Sequence, residues 1–458
     1  MTQSEHAAET EVVYDIEDKP PIGESLALGF QHVLSMILGN VAVPLILATT
    51  LGLSDGDTTF LVQIALIIAG AATLVQVYPI GPIGGKVPIM MGTSFAFLGT
   101  LTVIGNQYGL AAILGAALAG SVVQLTIGAT YERFEVLFPP LVNGVVVMLI
   151  GLTLIPTGID YAAGASGGPA TVSNYASMTA LTISGTVFLV TLVLNQFFRG
   201  ILRIASVFFG ILIGYVMALS FGIVDFAPVA NAGWIAIPVP MQFGLEFHLD
   251  AILAIAAVYL IVSMETVGNI SATIATTGRS AETSELRGGV FADGAMSAIA
   301  ALFGAFPNTS FAQNVGLISF TGVASRHVVG IAGSILLIAG FVPKVSALVT
   351  TMPAPVLGGG ATILFAMIFT SGLQIIDREV PLTNRSLTIL AVSMALGLGV
   401  TFRPELLANF PQMVRTFFGS GVVTGGLAVL VLNLLIPEDE GSPSEATMQD
   451  GTVATDDD

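Results

Sequence analysis

The sequence contains no cysteine, which excludes disulfides and thiolate metal sites and leaves no redox inference about compartment. It is also poor in charge. Only 9% of its 458 residues are Asp, Glu, Lys or Arg, against about 25% in an ordinary soluble domain, while 54% are hydrophobic. A chain of this composition does not cover itself with a water-compatible surface. The four histidines, His6, His32, His248 and His327, are isolated and form no HExxH pattern, which argues against an intramembrane metalloprotease. No GxxxxGK[ST] loop occurs either, which argues against ATP-driven pumping. The net charge of −17 disfavours nucleic-acid binding. The expectation is a protein that is not an enzyme and that needs no metal or cofactor.

What the chain has in abundance is apolar runs of roughly 17 to 25 residues, each long enough to cross a hydrocarbon core of about 30 Å. In lipid every backbone N–H and C=O must be satisfied internally, and long runs without alternation select helices over a barrel. We therefore predict an all-α polytopic membrane protein with fourteen spans: residues 24–51, 59–83, 87–104, 108–130, 136–157, 177–196, 199–221, 249–276, 288–306, 310–323, 327–350, 354–374, 386–402 and 410–436. Residues 1–23 and 438–458 hold 14 of the 30 carboxylates and read as acidic tails, the first solvated and the second disordered. The first has no apolar core of a cleavable signal peptide. With both termini placed in the cytoplasm, ten of the thirteen basic residues fall on that side, as the positive-inside rule requires of a multi-pass plasma-membrane protein.

The chain repeats itself. Thr93, Ser94, Phe95 and Ala96 return as Thr309, Ser310, Phe311 and Ala312; Gly39–Asn40 return as Gly268–Asn269; Pro139, Gly144 and Gly158 return as Pro353, Gly358 and Gly372. Three echoes in chain order imply two homologous halves of seven spans. An odd span number inverts the second half, which is the architecture of secondary transporters with a site near the midplane. Both Thr-Ser-Phe-Ala segments sit where a straight helix is broken, the first after Pro79, Pro82, Gly84, Gly85 and Pro88, the second after Gly304 and Pro307. Half-helices there leave free N–H groups and positive dipole ends for a polar substrate.

Acids inside apolar spans mark function. Two stand out, Glu265 in the eighth span and Asp293 in the ninth. Desolvation disfavours the charged form of such a carboxyl, which suits both to binding and releasing protons, with His32 of the first span a third candidate. Gln313 and Asn314 follow the second repeat, and a carboxamide offers donors and an acceptor for the alternating edge of a planar heterocycle. As neighbours they do not both face one ligand, so one supports the other. Phe95 and Phe311 are candidates to stack on a ring.

The run from Gln313 to Gly322, QNVGLISFTG, resembles the signature [QEP]-N-x-G-x-x-x-x-T-[RKG] of the nucleobase–ascorbate transporter family. Its context agrees: Gln31–His32, Gly92 to Phe97, Glu265, Asp293, Phe138 to Pro140, Pro353 to Gly359 and Asn384–Arg385. The resemblance implies two inverted repeats, with a core domain of residues 24–130 and 249–352 and a gate domain of residues 131–248 and 353–437, in a homodimer. It also implies short strands in spans three and ten beside the substrate. By this analogy Glu265 and Gln313 bind the base, Ser94, Phe95 and Ala312 add contacts from the broken segments, Asn314 shapes the site, and Asp293 with His32 tunes proton coupling in an elevator-like cycle. Gln313 at the first motif position points to xanthine or urate, whereas Val315 and Asn269 depart from the purine pattern and keep a uracil:proton symporter as the alternative. An inorganic-anion carrier or channel of the same fold is the third reading, opposed by the signature and by the acid at the site.

Overall fold

A computed structural model describes residues 12–134, 137, 139–165 and 174–437. The described chain is helical apart from two three-residue strands. In order it runs α1 (Ile22–Thr50), α2 (Asp55–Val77), β1 (Met91–Thr93), a 3-10 turn (Phe95–Phe97), α3 (Leu98–Tyr108), α4 (Leu110–Ala129), α5 (Tyr131–Phe134), α6 (Pro140–Ala162), α7 (Met178–Phe197), α8 (Ile201–Ile204), α9 (Ser206–Ser220) and α10 (Ala227–Asn231). The remainder is α11 (Leu249–Ala275), α12 (Thr283–Leu302), β2 (Asn308–Ser310), α13 (Ala312–Thr321), α14 (Arg326–Gly340), α15 (Pro343–Thr350), α16 (Ala354–Glu379), α17 (Asn384–Phe402), α18 (Gln412–Phe418) and α19 (Gly421–Leu435). Among the described residues eight helices are long and apolar enough to cross a membrane, or ten if each bent pair is one span.

Each expected apolar segment contains helix, but several are not single rods. The eleventh is α14 and α15, bent by 84°, and the fourteenth is α18 and α19, bent by 80°. At the first bend Pro343 opens α15 at the position where its missing N–H costs nothing. Elsewhere the starts are conventional: the Ser54 hydroxyl accepts from Asp57 N–H beneath two first-turn acids in α2, and Glu282 with Glu285 forms a capping box on α12.

The helices pack in two groups. One joins α1, α2 and α14, and α4 with α11 and α12; the other joins α6 with α16 and α19, α7 with α9 and α16, and α17 with α19. The repeat-related helices α6 and α16 meet on their glycines. A Cβ on Gly358 would lie 2.0 Å from Ala162 N, and one on Gly151 would lie 2.5 Å from Phe369 N, so the two backbones touch directly.

The strands β1 and β2 cross antiparallel, pairing Met91 with Ser310, Gly92 with Thr309 and Thr93 with Asn308. Ser94 N–H to Pro307 O (2.9 Å) and Phe311 N–H to Met90 O (3.0 Å) extend the ladder. A two-stranded sheet has two open edges, and an open edge away from water is costly. Both are closed by side chains. On the β1 edge Met91 N–H donates to Thr73 Oγ1 (2.9 Å) and Thr93 N–H to Asn40 Oδ1 (2.8 Å). On the β2 edge Asn308 N–H donates to Ser297 Oγ (2.9 Å), and Asn269 Nδ2 donates to Ser310 O (3.1 Å) and Ser310 Oγ (2.9 Å). Asn40 and Asn269 are the asparagines of the repeated Gly-Asn pairs, and the first clamps β1 through its oxygen, the second β2 through its nitrogen.

The amino-terminal segment departs from the expected solvated tail. Residues 13–18 lie along the junction of α13 and α14: Val13 N–H donates to Gly322 O, Ala324 N–H to Tyr14 O, and Arg326 N–H to Ile16 O. Ile16 is buried against Ile318 and Ala324, and Arg326 pairs with Glu17 at 2.7 Å, which holds that carboxyl below the usual range. Ile16 supplies the apolar contact that the acid count concealed, while Val13 contributes its backbone N–H. Residues 1–11 and 438–458 and Phe138 of the Phe-Pro-Pro motif lie outside the described residues.

Removing a clamp leaves a buried backbone group without that partner, the Thr93 N–H for Asn40 and the Ser310 C=O for Asn269, at about 1–3 kcal/mol. Asn40→Ala and Asn269→Ala are each expected to lower the thermal midpoint of the detergent-purified protein, whereas Asn384→Ala, at the first turn of α17, leaves it unchanged. Midpoints of all three variants equal to the unsubstituted protein would remove the clamps from this account.

Candidate functional site

Each strand runs directly into the first turn of a helix, so the backbone at Phe95 and at Ala312 stands at a helix start where N–H groups lack intrahelical partners. Beside these starts lies a cavity of about 840 Å³, within the range of roughly 300–1,000 Å³ typical of small-molecule sites. Leu34 and Ser35 of α1, Thr93 and Phe95, Glu265 and Asn269 of α11, and the run Thr309 to Gln313 form one wall. Val147 and Ile150 of α6, Val207 of α9, and Met367 and Gln374 of α16 form the other. The cavity therefore lies between the two helix groups. Its lining extends to the exposed Arg203, Arg378 and Glu379.

The structure gathers Glu265, Gln313, Phe95 and Ala312 on this one cavity. Among the described residues Glu265 Oε2 has no hydrogen-bond partner. A carboxylate and a carboxamide thus stand beside two helix starts, and between them they offer acceptors and donors at fixed positions. Phe95 packs edge-on against Phe365 of α16, with ring centroids 5.2 Å apart, and meets the cavity with the remainder of its ring.

Other expected site residues stand behind this wall. Ser94 does not line the cavity; its hydroxyl accepts from Ala96 N–H at 3.3 Å and caps the turn after β1. Asn314 is fully buried, and its Nδ2 lies 2.9 Å from His32 Nδ1, 3.2 Å from Ser35 Oγ and 3.3 Å from His32 O. The pair fastens α13 to α1. Asp293 is likewise buried, with Oδ2 accepting from Thr266 Oγ1 (2.6 Å) and Gln124 Nε2 (2.8 Å). Thr266 adjoins Glu265 in the chain, so Asp293 reaches the cavity wall through one residue. The sequence reading missed Gln124, Thr266, Thr73 and Ser297. Nothing in their local pattern distinguishes them from ordinary polar residues in helices.

On the face opposite Arg203 and Arg378 the two helix groups are tied together. Tyr108 Oη donates to Asp250 Oδ2 at 2.8 Å, Thr416 Oγ1 donates to the same oxygen at 3.1 Å, and Gln412 donates to Gln107. His248 stacks on Tyr108 with centroids 4.0 Å apart.

Long apolar helices, two short crossed strands and a polar cavity between two helix groups define a multi-pass membrane transporter. Residues 23–406 match the Xan_ur_permease model, described as a permease family. The uric acid permease PucJ of Bacillus subtilis is 37% identical over 89% of this chain and 91% of its own length. The xanthine permease XanP of Escherichia coli K12 is 33% identical over 94% and 96%. The chain belongs to the nucleobase–ascorbate transporter family, and it is a permease rather than an enzyme. Two solved structures share the fold at low identity. The transmembrane domain of the cyanobacterial bicarbonate transporter BicA has a TM-score of 0.54 at 15% identity, covering 91% of this chain and 98% of that one. Murine Slc26a9, an anion transporter in the inward-facing state, has a TM-score of 0.62 at 12% identity, covering 92% and 69%.

The placement of the two carboxamides separates their roles. Gln313→Ala, which removes a cavity group, is expected to weaken binding of the transported base roughly tenfold or more, about 1.4 kcal/mol, with little change in thermal midpoint. Asn314→Ala is expected to lower the midpoint as well, because it unfastens His32. Calorimetric binding and melting on both variants check this, and a reversed pattern would place Asn314 at the ligand.

Proposed function

We propose that this chain imports a nucleobase, xanthine or urate, by proton symport. The observation that carries the reading is the convergence of Glu265, Gln313 and the two helix starts on one cavity. An oxidised purine presents alternating N–H and C=O groups along its edge. Glu265, carrying its proton, donates through its O–H and accepts from a neighbouring N–H through its other oxygen, the Gln313 carboxamide donates to a carbonyl and accepts from an N–H, and the free N–H groups near Phe95 and Ala312 take the remaining carbonyls. The rings of Phe95 and Phe311 supply apolar surface for the base plane. The substrates in the names of PucJ and XanP agree with this choice.

A proton carried on Glu265 balances the charge that the loaded site would otherwise hold within the membrane. Asp293, held by Thr266 and Gln124, stands one residue behind and modulates that proton; His32, bound to Asn314, acts on the site through α13. The likeness to BicA and Slc26a9 bears on fold alone. An unprotonated Glu265 would oppose any anion in the cavity, so in this reading the loaded site carries the proton.

The fourteen expected spans form two inverted halves in this reading. Spans one to four and eight to eleven make a core domain, and the others make a gate domain, in a homodimer in the plasma membrane with both termini cytoplasmic. The packing into two helix groups, the cavity between them and the repeated asparagine clamps support it. The cycle is an elevator-like movement of the core against the gate. In this reading a cavity lined as far as Arg203 and Arg378, on the side that the basic residues assign to the cytoplasm, is that of an inward-facing state.

Uptake of radiolabelled xanthine into cells expressing the chain tests the proposal. The expected result is uptake abolished by a protonophore, outcompeted by urate, and reduced at least roughly tenfold by Glu265→Gln. Uptake of uracil alone would establish the pyrimidine reading in its place. Xanthine uptake that follows a sodium gradient and ignores the protonophore would contradict the coupling.

A further inference from the structure

Between α10 and α11 the chain crosses the far ends of several helices in an extended strap. Residues 232–245 carry no charge at all. The strap is fixed by its backbone: Ala236 N–H donates to Phe341 O beyond α14, Ala236 O accepts from Gln63 Nε2 of α2, Met241 N–H donates to Leu302 O at the end of α12, and Glu246 N–H donates to Ala111 O at the start of α4. Pro238 and Pro240 keep it extended and remove two donors that would need partners. A segment so tethered is built in place. Its outward side chains are apolar nonetheless: Trp234 and Ile237 are 73% and 79% exposed, and Ile235, Val239 and Met241 are exposed beside them.

The depth of the strap decides what meets this face. Gln63 lies eight residues into α2, about 12 Å below its start at 1.5 Å per residue, so Ala236 sits well below the end of that helix. The neighbouring α14 has only 15 residues and turns sideways at Phe341. It is therefore about 22 Å long, short of a hydrocarbon core of about 30 Å, and the strap crosses where it stops. Ile338 on α14 and Leu348 on α15 are exposed and apolar too, so the lipid-facing side of the helices continues onto the strap. Lys344 Nζ lies 5.2 Å above the Trp234 ring and donates to Val229 O, which places a cation at the level of an indole. Indole and ammonium groups together belong to the headgroup level of a bilayer.

We propose that residues 234–241 form a monotopic anchor. Trp234, Ile235, Ile237 and Val239 insert into the acyl boundary of the leaflet opposite the amino terminus, and they hold the ends of α2, α4, α12 and α14 at that surface. The occupant of this apolar face is lipid. The proposal depends on the chain spanning a membrane and is independent of which base it carries.

Trp234 is the only tryptophan in the sequence, so the unsubstituted protein carries its own probe. The full chain is reconstituted into vesicles of phosphatidylcholine and phosphatidylglycerol, with a fraction of the phosphatidylcholine brominated either high on the acyl chain or near its methyl end. Trp234→Phe provides the blank. The expected result is blue-shifted emission, quenched more by the shallow bromines than by the deep ones, and quenched little by aqueous acrylamide. Red-shifted emission open to acrylamide and blind to bromine would put the strap in water and overturn the proposal. Emission untouched by either quencher would show the face covered by protein, a second copy included, and would overturn it equally.

Discussion

The structure turns on a requirement of the bilayer: backbone polar groups placed where there is no water must find partners within the protein. Breaking two helices at the centre of the molecule creates extended backbone that no longer bonds to itself. Pairing the two segments satisfies half of their groups and leaves two outer edges. Thr73 and Asn40 close one edge, and Ser297 and Asn269 close the other. Only when those donors and acceptors are settled do the helix starts at Phe95 and Ala312 remain as the available polar groups, facing a cavity instead of lipid. The clamps thus leave those helix starts as available polar groups beside the cavity.

The same economy governs the acidic residues. Glu265 faces the cavity with an unpartnered oxygen, while Asp293, deeper in the packing, is held by two donors. One carboxyl lines the cavity and the other lies one residue behind it, with its own Oδ1 unpartnered among the described residues. At the opposite face the Tyr108–Asp250–Thr416 network joins the two helix groups. In the proposed alternating-access cycle, opening the cavity toward that face would part these hydrogen bonds.

Much of this is legible in the sequence because the bilayer restricts the options. The apolar runs give the helices; the repeated Thr-Ser-Phe-Ala segments give the crossing point; an acid in the run around Glu265 gives the site. The Gly39–Asn40 and Gly268–Asn269 echo was visible as a repeat, but its purpose was not, since a side chain bonding across two helices leaves no periodic signal in either. Asn314 illustrates the limit. Next to Gln313 it has the same chemistry, and only the backbone direction of α13 sends one carboxamide into the cavity and the other onto His32. The bends of 84° and 80° were hidden within continuous apolar runs, because hydropathy records where lipid is met and not the direction of the chain. The docked segment at residues 13–18 was hidden for the opposite reason: its acids dominate the composition, while Ile16 and the backbone bonds to Gly322, Ala324 and Arg326 determine where it lies.

The central claim is that the crossed strands and Glu265 together form the base site. An electron cryomicroscopy map of the protein with xanthine tests it most directly. The account predicts planar density in the cavity between Glu265 and Gln313, edge-on to the carboxyl and within hydrogen-bonding reach of the backbone at Phe95 or Ala312. Ligand density elsewhere in the molecule, with this cavity empty, would contradict it.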